Sequence, residues 1–188
     1  GISAKGDVKL DAKENIDMIG GNIKSENGGV DVKAGGDINI ESTLGYDENG
    51  NQTVSNQAGI SAKGDVSVKA SGDTTIKGGV VESTDGNVAL GGKNVTIEDQ
   101  NIITSGTETT TDGITTTTKS FSKSTSSGSG IGGKNVTIEA ENDVTIKGSG
   151  VAAKEEVSIK AGDKVNIVDG QDYYHETTKS QISGTVNG

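Results

Sequence analysis

Few side chains in this chain could do chemistry, and most of those lie beside turn signals. The single histidine, His175, stands in Tyr173-Tyr174-His175-Glu176. A histidine beside a carboxylate could move a proton or sense acid pH. General acid–base catalysis, however, asks for paired carboxylates, or a base near a cation, held in a cleft. The acids here fall mostly at Gly6-Asp7, Gly64-Asp65, Gly72-Asp73 and Gly162-Asp163. An aspartate in such a corner commonly bonds its own backbone. With no arginine and one histidine, the pattern argues against an enzyme.

Three shorter motifs look like sites and fail on context. Gly128-x-Gly130-x-x-Gly133 has the letters of a dinucleotide fingerprint, but it leads into a strand pattern, so no helix N-terminus awaits a phosphate. Asp47-x-Asn49-x-Asn51 begins like a calcium loop, yet Gly50 is misplaced and no bidentate acid follows at the required spacing. The glycine-rich nonapeptide of calcium-binding β-rolls is also missing. No cofactor and no metal is therefore expected. Asn51, Asn94 and Asn135 each begin an N-x-T triplet. The last two read as corner residues opening strands, which leaves Asn51 as the plausible glycan acceptor.

The elements that must position these residues announce themselves as internal copies. Gly-Gly-Lys-Asn-Val-Thr-Ile-Glu stands at 91–98 and again at 132–139, and Gly-Ile-Ser-Ala-Lys-Gly-Asp-Val stands at 1–8 and 59–66. Identical copies in a short chain mean a repeat architecture. Apolar pairs recur at Val8/Leu10, Ile16/Met18, Val30/Val32 and Ile38/Ile40, so that every third strand start falls 22 residues on, from 8 to 30. The series resumes at Val66 and Val88 with the same step, and at Val136 and Val157 with a step of 21. Three short strands per coil, separated by Gly, Asp and Asn turns, describe an all-β chain folded as a parallel β-helix of about six coils. Each strand must bond its equivalent one coil away. At about 4.8 Å per coil the shaft would be roughly 29 Å long.

Between coil pairs the pattern stops, at 42–58, 99–130 and 168–188, always at the same point of the coil. The chain thus reads as one β-helix segment over 1–188, with units 1–58, 59–130 and 131–188, each ending in an excursion. In the middle excursion Thr107–Thr118 surrounds Asp112-Gly113, which predicts a Thr-rich β-hairpin with Asp112 and Gly113 as its two-residue turn. That register sets Thr111 opposite Ile114 and Glu108 diagonal to Lys119. The serine-rich stretch 122–130 reads as a flexible return.

Composition bounds the partners. Hydrophobic residues make up 29% and the net charge is −10, values that usually go with disorder. The regular period-2 placing of the aliphatics argues for a folded chain instead. An acidic balance excludes nucleic acid as a partner. No run of about 18 apolar residues predicts a membrane-spanning helix. With no signal peptide at its start, the sequence reads as an internal piece of a longer polypeptide. The missing cysteines exclude disulfides and thiolate chemistry. Every aromatic lies in an excursion: Tyr46, Phe121, Tyr173 and Tyr174, with His175 beside them. Two readings stay open. Either they pack the excursions back against the shaft, or they form a recognition surface, where aromatics are enriched.

The recurrent Gly-Asp-Val and Asn-Val-Thr-Ile strand starts and the coil of just over 20 residues resemble the haemagglutinin repeats of filamentous-haemagglutinin-type exoproteins exported by two-partner secretion. So do the excursions running through Thr118-Lys119-Ser120-Phe121-Ser122 and Thr178-Lys179-Ser180-Gln181-Ile182-Ser183-Gly184. The likeness covers essentially the whole chain, although the first excursion lacks the Lys-Ser core. It implies a right-handed helix, preferred on this ground over a left-handed helix or a trimeric stalk. It further implies a fibre on the surface of a Gram-negative bacterium, used in adhesion or as the stick of a contact-dependent growth inhibition toxin. The partners implied are neighbouring coils of the same exoprotein, an outer-membrane transporter during secretion, and a host or bacterial cell-surface receptor. The excursions could serve as a receptor- or glycan-binding module, or the repeats could deliver a toxin at the target envelope.

Overall fold

A computed structural model describes residues 1–183; the last residues of the third excursion, Gly184 among them, lie outside the described part. The first coil consists of β1 (Ile2–Ala4), β2 (Val8–Ala12) and β3 (Ile16–Ile19), the second of β4 (Asn22–Ser25), β5 (Val30–Ala34) and β6 (Ile38–Glu41). A small hairpin follows, β7 (Thr43–Tyr46) and β8 (Gln52–Asn56). Coils resume with β9 (Gly59–Ala62), β10 (Val66–Ala70), β11 (Thr74–Lys77), then β12 (Val80–Ser83), β13 (Val88–Gly92) and β14 (Val95–Glu98). A long hairpin, β15 (Gln100–Asp112) and β16 (Thr115–Ser127), interrupts them. The shaft continues with β17 (Gly130–Ala140), β18 (Asp143–Lys147), β19 (Gly150–Ala161) and β20 (Lys164–Val168), and the last strand is β21 (Tyr173–Ile182).

The shaft strands pair in parallel with their equivalents one coil away, so the chain is an all-β, solenoid-like parallel β-helix. One face is a six-stranded sheet in the order β20-β18-β14-β11-β6-β3. The other two faces join into a single sheet because β17 and β19 run through their shared corner, with a register shift between Gly133 and Asn135. The step read from the sequence is the step of the hydrogen-bond ladder: Val8 pairs with Val30, Val66 with Val88, and Val136 with Val157.

Period-2 alternation now becomes a core. On one face Met18, Ile40, Ile76, Ile97, Ile146 and Ile167 form one column in register. On another Ile2, Ile23, Ile60, Val81, Ile131 and Val151 form a second. Each buried aliphatic contributes roughly 1.5–3 kcal/mol before chain entropy is counted. Thr74 breaks its own column but is satisfied, donating its hydroxyl to the Gly91 carbonyl at 2.8 Å. The middle of the shaft is sealed, with Ile76 and Ile97 at 0% exposure, whereas Val165 and Ile167 of the last coil reach 44% and 70%. At the other end Leu10, Ile16, Met18 and Ile23 line an apolar hollow of about 270 Å³.

The corners depart from expectation. Their acids do not close turns on their own backbone. They reach to the next coil: Asp7 Oδ1 accepts from the Gly29 N–H at 2.8 Å, and Asp65 Oδ1 from the Asn87 N–H at 2.7 Å. On a second corner Asn15, Asp37, Asp73 and Asn94 accept in turn from the N–H groups of Asp37, Asp73, Asn94 and Asp143. Stacking sets equivalent corners about 4.8 Å apart, so a short side chain finds its donor one coil on.

Candidate contact surface

Buried serines anchor the first two excursions to the shaft. Ser42 donates to the Gly78 carbonyl at 2.6 Å and accepts the Ala58 N–H at 2.9 Å, so one hydroxyl ties both ends of the first excursion to the shaft. Ser129 does the same at the end of the second, donating to the Glu98 carbonyl at 2.7 Å and accepting from the Gly79 N–H at 3.1 Å. Beside it Asp99 is buried, takes the Ser126 hydroxyl at 2.5 Å and faces Lys147 Nζ at 3.7 Å. These anchors escaped sequence reasoning, since a serine in a Ser/Thr-rich stretch carries no mark of burial.

The middle hairpin is longer than its threonine run. β15 and β16 pair antiparallel from Gln100–Ser127 up to Asp112–Thr115, so the stretch expected as a flexible return is strand as far as Ser127. The register also differs: Thr111 faces Thr116 rather than Ile114, and Glu108 lies directly opposite Lys119. The turn explains this. Gly113 has φ of +60° and no other residue than glycine has positive φ among the described residues. A type I′ loop at Asp112-Gly113 would need positive φ at both residues, but Asp112 does not have it, so the two-residue loop is Gly113-Ile114, with glycine first as a type II′ turn requires, rather than Asp112-Gly113.

Nor are the excursions separate. β21, from the third, pairs antiparallel with β16, giving a three-stranded side sheet in the order β15-β16-β21. The first excursion touches it as well, Gln52 Oε1 accepting the Ile103 N–H at 2.9 Å.

The side sheet gathers four of the five candidate residues. Phe121 faces Glu176 and Lys123 faces Tyr174, which puts Phe121 and Tyr174 on one face, stacked with ring centroids 6.4 Å apart. Phe121 lies over Gly106, whose missing side chain leaves the space for the ring. Tyr173 and His175 occupy the opposite face, also stacked at 6.4 Å. Tyr174 donates its hydroxyl to Glu176 Oε2 at 2.7 Å, and that bond raises the phenol above its ordinary pKa of 10.0. His175 Nε2 lies 3.2 Å from Thr177 Oγ1. Tyr46 stands apart on the small hairpin. With exposures of 74% for Tyr46, 61% for Tyr173 and 59% for Tyr174, the aromatics do not pack against the shaft wall. Each projects from a two-sided sheet that covers no core.

Asp47 closes its hairpin rather than a metal loop. Its Oδ1 accepts the N–H groups of Asn51 at 2.8 Å and Asn49 at 2.9 Å. The Asn51 backbone bond is the main cause of a carboxyl pKa below the ordinary 3.8. No group of three or more His, Asp or Glu side chains among the described residues could hold a metal ion.

A stacked coil with polar side sheets is the architecture of a structural repeat, and the sequence comparison agrees. The family model described as Hemagglutinin repeat matches residues 1–62 and 109–188, and the chain belongs to that family. The unmatched stretch between them carries coils of the same register. Comparisons with curated proteins and with solved structures returned no match. Membership makes the chain part of a secreted or cell-surface bacterial protein, an adhesin-type shaft segment of a structural rather than typically enzymatic family.

Proposed function

We infer that the shaft sets reach and spacing while the side sheet makes contact with a cell-surface receptor, either a glycan or a protein. The observation that carries this is the exposure of Tyr173, Tyr174 and Phe121 on a sheet with no core to fill. Aromatic rings are enriched at recognition surfaces. The setting that fits is a fibre exported by two-partner secretion to the surface of a Gram-negative bacterium. A chain without cysteines suits passage through an outer-membrane transporter in an unfolded state. Further coils of the same exoprotein would continue the stack at either end.

The test is binding of this chain to host cells and to Gram-negative bacteria, beside a variant carrying F121S, Y173S and Y174S. Loss of binding in the variant, with the shaft's unfolding midpoint unchanged, is the expected result. Equal binding by both would move recognition off the side sheet. Host-cell binding would mark an adhesin and bacterial binding a contact-dependent inhibition stick. Binding to neither would leave a spacer.

A further inference from the structure

The side sheet contains a pairing that the two excursions did not need to share. Thr-Thr-Lys-Ser occurs at 117–120 in β16 and again at 177–180 in β21. In the structure the two copies pair with each other, antiparallel and in self-register: Thr117 with Ser180, Thr118 with Lys179, Lys119 with Thr178 and Ser120 with Thr177. The arrangement is a local two-fold. Each Lys meets a Thr, no like charges stand opposite, and Thr117 Oγ1 lies 3.4 Å from Ser180 Oγ. The motif thus pairs with its own copy.

What holds β21 in place is almost wholly main chain. All of its residues are exposed, and its side-chain ties are few: the Tyr174 ring stacked on Phe121 and, at its root, Asp172 Oδ1 accepting the Ser126 N–H at 2.9 Å. Its tether to the shaft, residues 169–172, forms no strand. A strand bound this way, with no core beneath it, opens before the buried strands of the shaft do. Its vacated seat on β16 is an edge that accepts an extended strand by backbone pairing.

We propose that the β16 edge is a strand-exchange surface whose partner is a second copy of this chain. The partner's β21 replaces the resident strand and makes the same hydrogen bonds in trans. Since bonds broken and formed are identical, exchange is governed by concentration. The resident strand holds the advantage of its tether, an effective concentration of about millimolar, so exchange favours crowded arrays of chains on one surface. Reciprocal exchange closes a two-fold dimer, and one-way exchange runs on into a file of chains.

Cysteine trapping tests this in the full chain, which has no cysteine of its own. A T117C chain and an S180C chain are mixed and mildly oxidised, beside a control mixture of T117C with Q181C, whose thiol sits one residue out of register on the other sheet face. The expected result is a several-fold excess of the 117–180 cross-linked dimer over the control dimer, rising with concentration. A single chain carrying both T117C and S180C should close on itself, and once oxidised should no longer exchange its strand with other chains. Equal yields from the two mixtures would overturn the proposal. End-to-end stacking of shafts cannot mimic the result, because it gives no register-dependent disulfide.

Discussion

Shaft and side sheet are built from the same hydrogen-bond ladder and differ in what lies beneath it. In the shaft, alternate residues, nearly all aliphatic, stack into columns that are sealed at mid-length. In the side sheet, the strands are longer, up to 13 residues, yet both faces meet water. Backbone pairing nets only about 1 kcal/mol per bond because water competes for the same groups. Burial therefore decides which part is rigid, and strand length does not.

Substitutions measure that difference directly. Replacing Ile97, buried between Ile76 and Ile146, by alanine should lower the unfolding free energy by about 2–5 kcal/mol. Urea titration of the intact chain reads this, and T110A in the side sheet is the comparison, expected within about 0.5 kcal/mol of the parent. Equal effects would mean the side sheet has a core of its own. Next in size is S129A, which orphans buried donor and acceptor groups at the root of the long hairpin. It should cost about 1–3 kcal/mol, and should raise hydrogen exchange in β15 and β16 before it does so in β13.

A smaller loss, about 1 kcal/mol, is expected for D73A, which leaves the Asn94 N–H without its side-chain acceptor. A thermal melt showing no change would mean water serves that amide equally well. The smallest effect is local and depends on pH. Because Asp47 has a lowered folded pKa, its contribution to the small hairpin is complete above the unfolded value of 3.8 and lost as pH falls through the lower folded one. The Asn51 amide resonance should shift in that acid window while shaft amides stay still. A shift centred above 3.8 would contradict the assigned bonds.

The shaft was legible in the sequence because its rules are local and repeated. Val136 and Ile138 point inward by alternation, and the spacing of their copies fixes what they stack upon. Side-sheet details were not legible, since two-sided polar strands carry no burial signal to set register. Only the positive φ of Gly113, not shared by Asp112, settles the turn. The partnership of β16 with β21 was visible as a repeated tetrapeptide, but nothing in the composition says that two copies will meet. Likewise Tyr173, Tyr174, His175 and Phe121 were identifiable as a group by rarity alone, while their division between opposite faces needed the register. Ser42 and Ser129 look like any other serine until their positions at the exits of the shaft are known.

The corner ladder carries a direction. In this side-chain ladder an acceptor on an earlier coil takes the N–H of a later one, from Asp7 to Gly29, from Asp65 to Asn87, and from Asn15 onward to Asp143, while backbone bonds at the same corners run the other way, Val8 N–H to the Gly29 carbonyl among them. A finished coil thus exposes carboxylate and amide oxygens already aimed at amides that have not yet arrived. The side-chain ladder points toward the C-terminal end of the shaft. A chain threading out of a pore N-terminus first would meet its template in the order in which it emerges, and every coil laid down would draw the next one after it.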